Sequence, residues 1–285
     1  MSQLGYACIN MHLSDLPKSQ RITTNRSMIK RTFKARGLPY ASELALANCR
    51  DLLKILQWNE QHDIRFFRLS SDLFPWSSEY QLSDLPDYDA ICDALMDAGD
   101  FVYDHCHRIT THPGPFTTAY AKINIHVGGT YGGDFAGTAK RWCSNFHKLS
   151  ETTQARITVE NDDRASMWST QHLYDYIHKD ILIPIVHDIH HHRFCPGGLT
   201  DQEAMTLAAS TWRAVTPVIH YSESRSAEQN DPKIRGNAHS DYIYDYIDTH
   251  GLDVDVMIEA KAKELALLRY RELWQDGIDM SKAAA

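Results

Sequence analysis

The sequence predicts a single α/β domain, a (β/α)8 TIM barrel. Three observations carry that prediction. Eight short apolar runs alternate with longer amphipathic segments along 285 residues. No Gly-rich phosphate turn follows the first run, as an open doubly wound sheet would usually require. The last six runs each carry a histidine or a carboxylate at or within two residues of their C-terminal end. Catalytic groups occupy that end of the strands in barrels of this class.

The candidate strands are Leu4–Asn10, Ile64–Ser70, His107–His112, Lys122–Val127, Arg156–Asn161, Ile183–Asp188, Thr216–Ser222 and Asp253–Ala260. Helical periodicity fills Ser42–His62 and Asp87–His105. Another helix is expected over Thr200–Val215, opening on the capping box Thr200-x-x-Glu203. "HSDYIYDYIDTHGLD" is expected to be helical and to close on Gly251 as its C-cap. "AKAKELALLRYRELWQ" is a helix-forming run after the last strand. Strands alternating with helices imply parallel pairing through right-handed crossovers. No repeat or linker divides the chain, so one domain over residues 1–285 is expected, with 276–285 a frayed tail.

Composition narrows the setting. The chain is 43% hydrophobic and 23% charged, enough apolar material for one large core. No apolar run is long enough to span a membrane. The N-terminus lacks the basic-then-apolar pattern of a signal peptide. The six cysteines show no CxxC spacing and read as reduced, buried thiols. A cytoplasmic protein of bacterial type is expected. The net charge of −8 argues weakly against nucleic acid. However, Pro17–Arg36 holds seven Lys/Arg and no acid. That block is either a solvated loop and helix face or a phosphate-binding patch.

The strand ends are the informative positions. Strands three to eight end at His112, His126, Glu160, Asp188, His220 and Glu259, with His191 three residues beyond Asp188. Any one of these alone is compatible with a hydrogen-bonded loop residue. Six in register are different. Three carboxylates converging on one barrel mouth cannot all stay ionised without cations. Imidazoles interleaved with carboxylates suit Mn²⁺, Zn²⁺ or Fe²⁺. A shared carboxylate can bridge two such ions for in-line displacement at phosphorus. His187 precedes Asp188 and should point to the opposite, packing side of its strand. His190 and His192 are candidates for supporting the ligands or touching phosphate.

The chain resembles the UV damage endonucleases, the UvdE family. The resemblance is carried by "LGYACIN", "RITTNR", "RLSSDLFPW", "THPG", "ENDD", "HDIHHHRF", "IHYSES", "AHSDYI" and "DVMIEAKAKE", in that order over about residues 4–275. The wider superfamily includes endonuclease IV and xylose isomerase-like barrels. The resemblance implies two or three divalent ions, Mn²⁺ foremost. Glu160 would bridge two of them. Asp188, His220 and Glu259 would complete one site, and His112 and His126 the second. His191 and His239 would hold a third ion. The implied reaction nicks double-stranded DNA 5′ to UV photoproducts or other distorting lesions, using metal-activated hydroxide and leaving a 3′-hydroxyl. No obligate protein partner is implied, and the place of action would be the nucleoid.

DNA contacts are expected from Arg21, Arg26, Lys30 and Arg31 in the basic stretch. Tyr6 matches a tyrosine that meets the lesion in the family. Trp76, Tyr80 and Tyr131 lie near strand ends or in loops, where they either stack on bases or pack in the core. Two positions depart from the family pattern. Pro115 stands where the lesion-probing Gln is common, followed by Phe116 in the aromatic place. Val218 replaces a Lys two residues before His220. Glu79 falls where relatives often have His. A sugar isomerase or epimerase on the same scaffold, and a lesion-binding protein without cleavage, are the competing readings. The basic stretch favours DNA over a sugar, and the intact Glu160, Asp188, His220 and Glu259 favour cleavage.

Overall fold

The computed structural model describes residues 2–111 and 122–274. The eight expected strands are all present: β1 (Leu4–Ala7), β2 (Phe66–Leu69), β3 (Arg108–Thr111), β4 (Lys122–Ile125), β5 (Ile157–Glu160), β6 (Ile185–Asp188), β7 (Val218–Tyr221) and β8 (Asp255–Ile258). They follow one another in a closed sheet in chain order, the strand topology of a (β/α)8 barrel. The longer helices are α1 (Lys30–Gln61), α2 (Tyr88–Asp104), α3 (Phe135–Phe146), α4 (Asp201–Ser210) and α5 (Glu264–Trp274). No described helix is long and apolar enough to cross a membrane.

Contacts group the chain into two units, Tyr6–Ala121 and Met1–Gly5 with Lys122–Ala285. In the first, β2 and β3 pair in parallel with Phe67 opposite Ile109. The helix α1 begins twelve residues before the expected Ser42, inside the basic stretch. It runs through a break at Gly37, whose φ of 63° and ψ of −158° only glycine tolerates. Pro39 follows the break, which is why periodicity alone marks only the later segment. Asn48 of α1 fixes the loop ahead of it. Its Oδ1 accepts from the Arg26 N–H at 3.0 Å and its Nδ2 donates to the Arg26 carbonyl at 3.0 Å.

The second unit carries β4 to β8. Its strands pair in parallel, with Glu160 opposite Val186, Asp188 opposite His220, and His220 opposite Met257. Apolar residues of β5 and β6 (Val159 and Ile185) bury against Trp168, Leu173, Ile177 and Phe146. This core holds the polar strand ends in place. The capping box on α4 forms as expected: Thr200 Oγ1 accepts from the Glu203 N–H, and Glu203 Oε2 accepts from the Thr200 N–H at 2.8 Å. Thr200→Ala should therefore lower unfolding stability by about 0.5–2 kcal/mol, read as a shift in denaturant midpoint at unchanged slope.

The helix expected between His239 and Gly251 does not form. The N–H groups of Asp241 and Tyr242 donate to the Glu228 carboxylate at 2.7 and 2.9 Å. Those of Tyr244 and Asp245 donate to Glu223 Oε1 at 2.8 and 2.9 Å. Two carboxylates from the segment after β7 thus take the donors that a helix would need. Gly251 instead sits in a turn with φ 75° before β8.

Candidate metal centre

The strand ends of β5 to β8 bring their polar residues together. Glu160, Asp188 and His220 are almost fully buried, and each offers an atom within 4.8 Å of the others. Glu160 also belongs to a second such group with His126 and His191. One buried carboxylate is therefore common to two ligand sets. The His220 Nδ1 lies 3.2 Å from Glu160 Oε1 and 3.0 Å from Glu259 Oε1. The His191 Nδ1 lies 3.4 Å from Glu160 Oε1.

These groups are aimed by neighbours. Asn124 of β4 donates its Nδ2 to Glu160 Oε2, and Thr158 Oγ1 donates to Asn124 Oδ1 at 3.0 Å. Asn161 clamps Asp188: its Oδ1 accepts from the Asp188 N–H at 2.8 Å, and its Nδ2 donates to the Asp188 carbonyl at 3.0 Å. Asp162 Oδ1 lies 3.1 Å from the His126 Nδ1. Removing such partners typically costs about 10–100-fold in metal affinity. Asn124→Ala should do so, measured by competition with a chelating dye, while leaving the circular dichroism spectrum unchanged.

Electrostatics point the same way. Burial alone would lower the His220 imidazole, but the carboxylates of Glu160 and Glu259 outweigh it and raise its pKa to about 10. Burial likewise opposes the His126 charge, yet Asp162 and Glu160 lift that imidazole to about 9. Glu160 itself is held well below the usual carboxylate range. Its desolvation is overcome by His220 and then His126. A field that holds protons this firmly on imidazoles is a field that favours cations.

The donor set fits divalent metal. Asp188 Oδ2 is buried and has no hydrogen-bond partner among the described residues, so a carboxylate oxygen is left for a cation. The His191 Nδ1 faces the Asn161 carbonyl at 2.9 Å and must donate to it, which leaves Nε2 as the atom a metal could use. The His239 Nδ1 pairs with Ser222 Oγ at 2.8 Å, leaving its Nε2 in the same way. The His239 ring lies 5.8 Å from that of His191.

Comparison with known proteins bears on what this centre serves. The family model for UV-endonuclease UvdE matches residues 2–122 and 117–284. The chain belongs to the UvdE family. A UV-damage endonuclease of Schizosaccharomyces pombe is 32% identical over 93% of this chain. The chain spans only 49% of that relative's length. A putative UV-damage endonuclease of Acanthamoeba polyphaga mimivirus is 30% identical, covering 94% of this chain and 89% of the relative. Among solved structures, SacUVDE matches with a TM-score of 0.78 and 25% identity, covering 97% of this chain and 99% of that one.

Of the ligands that the family resemblance implies, His126, Glu160, Asp188, His191 and His220 gather in the two groups. Glu259 touches His220, and His239 lies beside His191. His112, Pro115 and Phe116 lie outside the described residues. His187 faces away from the centre as expected, with Nδ1 3.0 Å from Thr170 Oγ1 and Nε2 3.2 Å from Asp201 Oδ1. His190 and His192 are buried, so neither presents a surface for phosphate. Asn124, Asn161 and Asp162 escape the sequence reading. The uninterrupted polar run after Val159 is the signal that points to the last two.

The expected DNA contacts separate. Tyr6 is fully buried. Its hydroxyl donates to Asn59 Oδ1 at 2.7 Å and accepts from Asn10 Nδ2 at 3.1 Å, and its ring packs on Phe67. Its ring and hydroxyl are packed inside the protein in this structure. Arg26 is taken up inside the protein, 2.6 Å from Asp51 of α1 and donating to the Thr23 and Arg21 carbonyls of its own loop. Arg21, Lys30 and Arg31 are exposed. Trp76 Nε1 donates to the Met28 carbonyl, and Tyr80 hydroxyl to the Pro75 carbonyl.

Proposed function

We propose that the protein is a metal-dependent DNA repair endonuclease that nicks the strand 5′ to UV photoproducts and other helix-distorting lesions. The observation that carries this reading is the buried Glu160 shared by two ligand sets, in a chain of the UvdE family. Two or three divalent ions, Mn²⁺ foremost with Zn²⁺ or Fe²⁺ as alternatives, would supply Lewis-acid stabilisation of phosphoryl charge and activation of an attacking water. Asp188, His220, Glu259 and Glu160 would hold one ion. His126, with Glu160 and His112, would hold a second, and His191 with His239 a third.

The chain's own residues do the rest. Asn124 fixes the Glu160 carboxylate, while Asn161 holds the Asp188 backbone and the His191 N–H holds its carboxylate, so little reorganisation is needed as charge develops. The burial of Glu160, Asp188 and His220 excludes bulk water and strengthens each interaction there. Arg21, Lys30 and Arg31 would pair with backbone phosphates of damaged double-stranded DNA, positioning it without reading sequence. We read the chain as one barrel domain acting at the nucleoid of the cytoplasm, without an obligate protein partner. Val218 is buried two residues before His220, on the same strand face, and offers only hydrocarbon there. Together with Pro115, this favours a lesion range different from that of relatives with Lys and Gln in those places.

A 5′-labelled duplex with one thymine dimer tests the reading. A cut immediately 5′ of the dimer, leaving an end that a polymerase can extend, is the expected product. Cutting elsewhere, or an end that cannot be extended, contradicts the assigned reaction. Turnover of a keto- or aldo-sugar without nicking would replace it.

A further inference from the structure

No described aromatic side chain is more exposed than Tyr131, at 80%. It lies in the loop between β4 and α3, in the same unit as the metal centre. Its backbone holds φ at 48°, a left-handed conformation that costs an aromatic residue free energy. Neighbouring contacts hold that conformation. Thr130 Oγ1 donates to the Ser166 carbonyl at 3.0 Å, and the buried Trp168 donates its Nε1 to the Gly128 carbonyl at 2.8 Å. The loop is thus fastened on the near side of Tyr131 to the segment that follows Glu160. The ring rests against Arg141 of α3, whose guanidinium carbon lies 5.1 Å from the ring centroid. Arg141 is in turn held by Thr138 Oγ1 at 2.9 Å.

A strained backbone, two anchors and a backing cation together present an aromatic face to solvent. None of that buries the ring, so core packing does not account for it. Tyr131 lies five residues beyond His126, which limits the separation of their Cα atoms to about 18 Å. That is about five base steps at 3.4 Å each along one strand. Arg164, two residues before Ser166, adds an exposed cation on the adjoining loop.

We propose that Tyr131, backed by Arg141, is a stacking platform for a nucleobase displaced by the lesion. The inference rests on the endonuclease reading above. It separates Tyr131 from Tyr6, Trp76 and Tyr80, whose rings or polar atoms are engaged inside the protein. Every base has a π-face, so such a platform recognises disruption of stacking and not sequence. The adjacent guanidinium would stay near enough to pair with a flanking phosphate.

The test is the dissociation constant of the metal-loaded protein for two duplexes of one sequence, one intact and one with a thymine dimer. Phosphorothioate linkages beside the dimer slow cleavage, and fluorescence anisotropy reads binding. Tyr131→Ala should weaken binding of the damaged duplex by between about five- and 150-fold, the range found for base–aromatic stacking. Tyr131→Phe should stay within about twofold of wild type, because stacking needs the ring and not the hydroxyl. If the alanine variant binds as wild type does, or the phenylalanine variant is as weak as the alanine one, the platform is wrong while the endonuclease reading stands. If the wild type does not distinguish the two duplexes, that reading falls, and this inference with it.

Discussion

Glu160→Gln should lower lesion-dependent nicking by more than about 100-fold. Loss of an outer partner of a metal ligand already costs about 10–100-fold, and Glu160 is placed to be a ligand in both sets. Glutamine has the same shape, and its carbonyl can still accept from Asn124 Nδ2, so the strand end keeps its geometry. What disappears is the charge. Glu160 is a chief source of the field that lifts His220 and His126, and a neutral amide leaves both imidazoles less able to share a cation. Metal content, measured by mass spectrometry on the dialysed protein, should fall with activity, while circular dichroism stays the same. Wild-type nicking in this variant would remove Glu160 from the centre.

Chelation should abolish nicking, and readdition of Mn²⁺ should restore it. Stability should respond as well. A ligand at 100 times its Kd stabilises the folded state by about 2.7 kcal/mol. For a domain of this size, removing it lowers Tm by roughly 4–5 °C. The metal-free centre is not left as three bare carboxylates. His220 and His126, raised to about 10 and about 9, carry protons at neutral pH and offset the acidic charge. Metal binding must displace those protons. Reloading at pH 7.5 should therefore release protons into a weakly buffered solution, and affinity should fall as the pH is lowered. A protein whose nicking and Tm are both indifferent to chelator would have no functional metal at this site.

The barrel was legible because its signals are local. Each strand is a short apolar run closed by a polar residue, and all eight lie inside the ranges that periodicity marks. The same locality hides what depends on distant partners. Residues 239–251 have helical periodicity, but Glu223 and Glu228 claim their backbone donors, and nothing within the segment announces that. The break at Gly37 masks the first turns of α1 in the same way. In the centre, His126, Glu160, Asp188, His191 and His220 could be named because histidine and carboxylate at strand ends are themselves the signal. Asn124 is an amide in mid-strand, and only the register of β4 on β5 brings it to Glu160. Tyr6 is the reverse case. Family resemblance marks it as a lesion contact, while Asn10, Asn59 and Phe67 enclose it.

The most direct measurement is nicking of supercoiled plasmid by the purified protein with Mn²⁺, comparing UV-irradiated with untreated DNA. Conversion of the irradiated plasmid to the relaxed form, with the untreated plasmid left supercoiled, is the predicted result. Equal relaxation of both, or of neither, would contradict a lesion-directed endonuclease.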